Sequence, residues 1–270
     1  MREGQAQAAG PRRRRWLDWA RPLGVMVVAV TVWQGLVILY DVPTWKLPGP
    51  WVIGEALVAD RALLLKHTWV TLQEVMLGFG FALGAGIALA LLIAYSRTLE
   101  RAVYPFVIAS QTIPIIVIAP LLLVWVGYGL APKIIVVVLV AFFPIVVNTV
   151  DGLRSIDPDL VNLMRTLGAN RRQVFAKIQV PSCLPLLFSG TKVAITFSVI
   201  GAVIGEWVGS SAGLGYLTRV SVPLFLTARA FAAVVVLAAM GVVLFLAVAL
   251  LERLLLPWYY DERRQRALEA

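Results

Sequence analysis

Apolar runs recur along the chain at lengths that match a lipid bilayer. A helix crossing the hydrocarbon layer needs about 20 mostly apolar residues. Six stretches approach or exceed that length, roughly 23–40, 70–95, 103–126, 133–150, 184–208 and 229–256. The second is long enough to begin as an interfacial helix. The third is interrupted by Pro105, Pro114 and Pro120, and the fourth contains Pro144. Proline frees backbone carbonyls that neighbours or water must satisfy, so these positions predict kinked packing helices or bends lining a pathway. Small residues four apart, Gly80 and Gly84 in the second stretch and Gly201, Gly205 and Gly209 in the fifth, predict faces where helix backbones approach closely. The pattern predicts an all-α integral membrane fold: six transmembrane helices over 23–257, a basic segment at 1–22 and a tail at 258–270.

Between the fourth and fifth stretches, residues 151–185 are too polar to span. Within them Leu160, Leu163, Met164 and Leu167 fall at i, i+3, i+4 and i+7, one face of a short helix. Asp157 and Asp159 lie at its start, where a helix N-terminus favours negative charge, and Pro158 suits the first turn. Gly168 follows the last apolar position and predicts a stop. Val174, Phe175 and Ile178 suggest a second helical piece, which Pro181 is expected to end. Such a ridge packs on the protein's own span ends, lies on lipid, or meets a partner.

Composition narrows the class. Of 270 residues 60% are hydrophobic and 14% charged, more apolar surface than a soluble domain of this size could hide. The net charge of +9 is concentrated at the ends of apolar runs rather than along a nucleic-acid groove. With the N-terminus cytoplasmic, 18 of the 24 lysines and arginines fall on the inner side, which predicts both termini and the 151–185 loop inside. The Arg12–Arg15 run meets anionic lipid headgroups or, the preferred reading, is only a topology signal, and the first apolar run is read as a retained span rather than a signal peptide. Cys183 and His67 are each the sole residue of their kind, excluding an intramolecular disulfide and multi-cysteine or two-histidine metal motifs. No G-x-x-x-x-G-K-[ST] phosphate loop and no supported nucleophile–base pair is present, so neither ATP hydrolysis nor another enzymatic activity is expected, and no cofactor in this chain.

Polar residues within apolar runs are candidates for a translocation path: Gln111, Asn148 and Glu206. Gln111 and Asn148 either face the path or bond between helices. Glu206, beside Trp207, either reaches water or caps a loop, or has a solute-facing or gating role, and Ser210, Ser211, Gly213 and Gly215 predict a flexible outer turn after it. Lys192 is expected to snorkel and His67 to lie at the interface, with Trp45, Trp51, Trp125 and Tyr128 in an aromatic belt.

Gly168, Ile178, Val180 and Pro181 resemble the second half of a known signature, E-A-A, three residues, G, nine residues, I-x-L-P. It marks the inner-membrane permease subunits of binding-protein-dependent ABC importers. Asn162, Leu163 and Met164 stand where that signature reads E-A-A. "LPGPWVIGEAL", "SQTIPIIVIAPLLLVWVGYGLAPK" and "GEWVGSSAGLGYL" are similar to segments of the nitrate, taurine and aliphatic-sulfonate branch, and the likeness covers roughly 45–257. "GEWVGSSAGLGYL" and "FFPIVVNTVDGLRSIDP" look most like members assigned to the thiamine pyrimidine precursor or riboflavin, so the resemblance implies one of these solutes or a sulfonate, taurine or nitrate-type anion.

The resemblance implies a type I importer permease fold whose cytoplasmic coupling helix docks on a separate ATPase subunit. It implies coupling roles for Leu160, Leu163, Met164, Leu167, Gly168, Ala169, Ile178 and Pro181. The partners it implies are that ATPase, which binds the ATP, a second permease copy, a periplasmic or lipid-anchored solute-binding protein, and membrane lipid. The competing reading is a stand-alone secondary transporter or channel. Ion coupling would then call for acidic residues deep in the spans, where Glu74 and Glu206 are the candidates.

Overall fold

A computed structural model describes the backbone of residues 14–261, and the side chains of 24–261 apart from Arg97. Most of the basic N-terminal segment and of the C-terminal tail lies outside the described residues. Helices account for every regular element among those described: α1 (Arg14–Leu39), α2 (Pro50–Ala59), α3 (Arg61–Tyr95), α4 (Arg97–Ala109), α5 (Ile115–Val126), α6 (Leu130–Arg154), α7 (Pro158–Thr166), α8 (Arg171–Val174), α9 (Val180–Gly209), α10 (Leu214–Ser221) and α11 (Thr227–Leu255). The first helix starts well before the apolar run that announced it.

Four rods are long and apolar enough to cross a bilayer: α3, α6, the rod running from α8 through α9, and α11. The predicted third span is not one kinked helix. A 3₁₀ turn at Ser110–Thr112 ends the first half, and Pro114 begins the second in extended backbone. The two halves meet at 100°, either a broken span or a re-entrant segment. Pro114 cannot donate to the ladder, and it disfavours helical backbone at Ile113, which is extended. Pro105, Pro120 and Pro144 are accommodated inside α4, α5 and α6. The apolar part of α1, Gly24–Leu39, is a shorter helix, so the described residues hold four or five spans by length and composition.

α6 is the axis of the bundle. Val136, Val137, Ala141, Ile145, Val146 and Val150 along it are buried, with α3 on one side and α9 on the other. Lipid supplies no hydrophobic drive between helices, so this contact depends on close backbone approach and van der Waals packing. On α9, Gly201 brings its backbone onto the Val137 Cα and Gly205 onto that of Lys133, where an added Cβ would sit 3.0 and 3.2 Å away. Gly209 meets the Leu123 side chain of α5. On α3 the expected pair is the wrong one. Gly80 and Gly84 face open space, whereas Gly78 and Gly86 press on Val137 and Ile145. The face is Gly78, Ala82 and Gly86, because α3 turns the 80/84 stripe away from α6.

The chain does not stop at Pro181. α8 passes through a π-helical stretch, Phe175–Gln179, straight into α9. The Val180 N–H reaches back to the Phe175 carbonyl, five residues behind. This wider turn relaxes the clash that a proline ring makes with the preceding turn. A rod of 39 residues, Arg171–Gly209, therefore joins the loop rigidly to the bundle core.

Candidate functional site

The loop after α6 folds as the apolar spacing predicts. Asp157 caps α7, its carboxylate accepting the Asp159 N–H at 2.8 Å, and Pro158 occupies the first turn. Gly168 ends the helix with φ of 83°, a left-handed conformation that favours glycine. The Ala169 N–H returns to the Met164 carbonyl at 2.9 Å and closes the C-terminus. The rod then starts on a reciprocal cap. Asn170 Oδ1 accepts the Gln173 N–H, and Gln173 Oε1 accepts the Asn170 N–H.

α7 thus projects beyond the bundle between two fixed ends. Leu160, Leu163 and Leu167 stand 49%, 56% and 74% exposed, while Met164 and Ala169 are half-buried. The ridge is not packed on the span ends. Ile178 and Pro181 are half-buried in the rod, away from the exposed leucines in their role: they carry the loop's connection rather than its outer surface. Beside the loop, Arg154 at the end of α6 pairs with Glu100 of α4 at 2.5 Å. Cys183 Sγ meets the Thr149 carbonyl, packing α9 on α6.

At the far end of α6, about 30 Å away at 1.5 Å per residue, lies a buried polar hub that the sequence did not reveal. Lys133 Nζ pairs with Glu74 Oε1 at 2.6 Å and donates to Ser210 Oγ at 2.7 Å. Glu206 is fully buried. Its Oε1 accepts the Thr71 hydroxyl at 2.6 Å, and its Oε2 accepts the N–H groups of Gly215 (2.5 Å) and Tyr216 (3.2 Å). Glu206 does not reach water here but caps a loop: its carboxylate is held at the first turn of α10, where N–H groups point outward and favour negative charge. Thr71 Oγ1 accepts the Leu214 N–H, and His67 Nδ1 accepts that of Gly213. His67 is buried within the protein and engaged as an acceptor rather than exposed. The expected flexible turn at 210–215 is pinned by α3, α6 and α9 together. Gly213 lies so close to the Glu206 carboxylate that a Cβ there would collide with it, which accounts for a glycine at that position of "GEWVGSSAGLGYL".

The remaining candidates separate. Asn148 Nδ2 donates to the Pro144 carbonyl of its own helix at 2.8 Å, beside Gly190 of α9, so it bonds within a helix rather than between two. Gln111 is exposed in the turn at the 100° bend. Lys192 does not snorkel; it pairs with the buried Glu252 of α11 at 2.7 Å. Trp45, Trp51, Trp125 and Tyr128 are exposed, as a belt requires. No group of three or more metal-ligating side chains occurs among the described residues.

The sequence matches the profile of the "binding-protein-dependent transport system inner membrane component" over residues 82–258. The formylaminopyrimidine transport permease protein of Halalkalibacterium halodurans is 37% identical over 238 residues, covering 88% of this chain and 95% of that protein. The riboflavin transport system permease protein of Chloroflexus aurantiacus is 38% identical over 254 residues, 92% of each. Among solved structures, a chain of the inward-facing MetNI methionine ABC transporter aligns with a TM-score of 0.63 over 72% of this chain and 97% of its own, at 23% identity, a likeness of fold. With its apolar rods and projecting loop helix, the chain belongs to the binding-protein-dependent transport system inner membrane component family and is a multi-pass permease subunit of an ABC importer.

Proposed function

We propose that α7 is the element through which a separate ATPase subunit drives this permease, with Leu160, Leu163 and Leu167 as the docking ridge. The exposure of those leucines carries the reading. Three large apolar side chains stand in line outside the bundle, on a helix capped at both ends and joined to a continuous rod. A ridge so held transmits displacement instead of absorbing it. Met164, Gly168 and Ala169 shape its end, while Ile178 and Pro181 connect it to α9. ATP is bound by the ATPase, and this chain is not an enzyme. Closure of two ATPases draws two such ridges together and rocks the spans between inward- and outward-facing arrangements.

A second copy of the chain completes the path. Between α3, α6 and α9 the interior is filled by Val, Ala and Ile side chains, so a polar solute finds its route along a face shared by two copies. Gln111, exposed at the bend, is the path candidate whose amide has no hydrogen-bond partner among the described residues. The lysine and arginine distribution supports α7 and both termini in the cytoplasm, with a binding protein delivering solute at the opposite end. The solute is a vitamin-type heteroaromatic compound. In support, the relatives at 37–38% identity are named for formylaminopyrimidine and riboflavin, whereas a taurine permease of Escherichia coli is 26% identical.

Two experiments test these readings. In proteoliposomes with ATPase and binding protein, Leu163→Asp with Leu167→Asp should abolish ATP-driven uptake while the subunit still inserts and folds; normal coupled transport by that variant contradicts the docking role. The cognate binding protein, assayed against formylaminopyrimidines, riboflavin and taurine, should retain one of the first two; retention of taurine alone overturns the solute assignment.

A further inference from the structure

A small basic cleft lies where the loop meets the bundle, with a volume of about 270 Å³. Tyr95 at the end of α3, Leu153 on α6, and Val174 and Gln179 of the rod form its walls, and Arg165 and Arg171 reach it from α7 and α8. At about 100° per residue, Arg165 stands roughly 160–200° around α7 from Leu163 and Leu167, so it points away from the exposed leucines and towards the bundle side. Both arginines are exposed, and no ion pair among the described residues includes them. Asp157 and Asp159 lie at the opposite end of α7, and Glu100 is taken up by Arg154. The Tyr95 hydroxyl meets Gln179 Oε1 at 3.5 Å, at the limit of a hydrogen bond. The cleft therefore gathers two forked cations and a hydroxyl, with no anion of the chain's own to answer them.

We propose that this cleft binds the phosphate of an anionic phospholipid from the cytoplasmic leaflet. Two guanidinium groups sharing a cleft repel each other until an anion enters, and each offers a planar fork matched to phosphate oxygens. Position selects the source of the phosphate. Tyr95 and Leu153 lie in the last turns of the spanning rods α3 and α6, the level at which hydrocarbon gives way to headgroups. Leu92 and Ala94, within a turn of Tyr95, are exposed and give the acyl chains an apolar approach. Arg172 and Lys177 flank the cleft, exposed and outside any ion pair among the described residues, and add a positive potential that draws anionic lipid to this rim. The volume is several times the ~30 Å³ of a water molecule, room for a phosphate and the start of its glycerol arm. The inference rests on the cytoplasmic placement of the loop proposed above, and not on docking of the leucine ridge. A phosphate held there ties α7, the rod and α3 together behind Gly168 and fixes the loop against the bundle.

The test uses the full-length permease in lipid-free detergent, alone and assembled with its ATPase. Native mass spectrometry counts what each form retains on adding phosphatidylglycerol, phosphatidylcholine or inorganic phosphate. One phosphatidylglycerol per permease copy should be held in both forms. Phosphatidylcholine, whose choline cation would face two arginines, should bind about tenfold or more weakly. Arg165→Gln with Arg171→Gln should lower phosphatidylglycerol affinity about tenfold or more. Both side chains are exposed, so thermal unfolding without lipid should be unchanged, which checks the fold. Arg172→Gln with Lys177→Gln, outside the cleft walls, should bind as the unaltered chain does. Four results overturn the proposal: full affinity in the cleft variant, an equal loss in the flanking variant, inorganic phosphate taking the site and excluding the lipid, or release of the lipid when the ATPase binds. The loop placement fails separately, if Ala176→Cys in sealed cells reacts with a membrane-impermeant thiol reagent added outside.

Discussion

Lys133 is the residue on which the far end of the bundle depends. It is buried, with Glu74 as its counter-ion and Ser210 as a second acceptor. Removing one member of a buried pair leaves the other charge uncompensated, at a cost of about 3–5 kcal/mol, whereas replacing both with apolar groups is often close to neutral. Lys133→Met should therefore lower the unfolding midpoint in detergent sharply, and Lys133→Met with Glu74→Leu should recover most of the loss. Equal loss in the single and double variants would show that the pair does not hold the end together. Glu206→Gln replaces an acceptor with a donor opposite N–H groups or a hydroxyl, and should cost about 1–3 kcal/mol in the same assay. None of these pairings was legible beforehand. Glu74 and Lys133 are 59 residues apart, and a count of lysines and arginines treats Lys133 and Lys192 alike as topology signals. What the sequence did contain was the anomaly, a carboxylate in each of two apolar runs.

At the level of elements, periodicity identified α7 and its boundaries because each cap is local: Asp157 and Pro158 at one end, Gly168 at the other. It failed where the outcome depends on a neighbour. Gly80 and Gly84 satisfy small-residue spacing as well as Gly78, Ala82 and Gly86 do, and the position of α6 decides between them. Gly78→Leu should thus destabilise the fold by about 1–3 kcal/mol or more through overpacking against Val137, while Gly80→Leu should be tolerated. Thermal unfolding of both variants in one detergent distinguishes them; equal tolerance contradicts the observed packing. Pro181 misled for a similar reason. A proline is a local stop signal, but the π turn before it lets the helix continue, and the sequence of a π turn is not distinctive. Gly168→Val forces a β-branched residue into left-handed backbone at the end of the ridge, costing about 1–3 kcal/mol. It should reduce coupled uptake more than it reduces subunit insertion, measured as transport per inserted permease; uptake and insertion falling in proportion would make Gly168 merely structural.

At the scale of the molecule, apolar length located the spanning rods but not the break in the third stretch, whose halves meet at 100°. The structure concentrates rigidity along one line. α6 is locked to α3 and α9 by close backbone approach, its far end is sealed by the Lys133 and Glu206 hub, and its other end leads directly to α7. The same α9 that shares the hub runs unbroken into the loop. On the proposed docking role, a push on α7 would reach both ends of the core through these packed helices. Placing a photo-crosslinking residue at Leu163 tests this claim most directly, in the assembled transporter with and without ATP. The expected product joins this chain to the ATPase subunit, with a yield that changes with nucleotide. Crosslinks that remain within the chain or go to lipid alone would contradict the account.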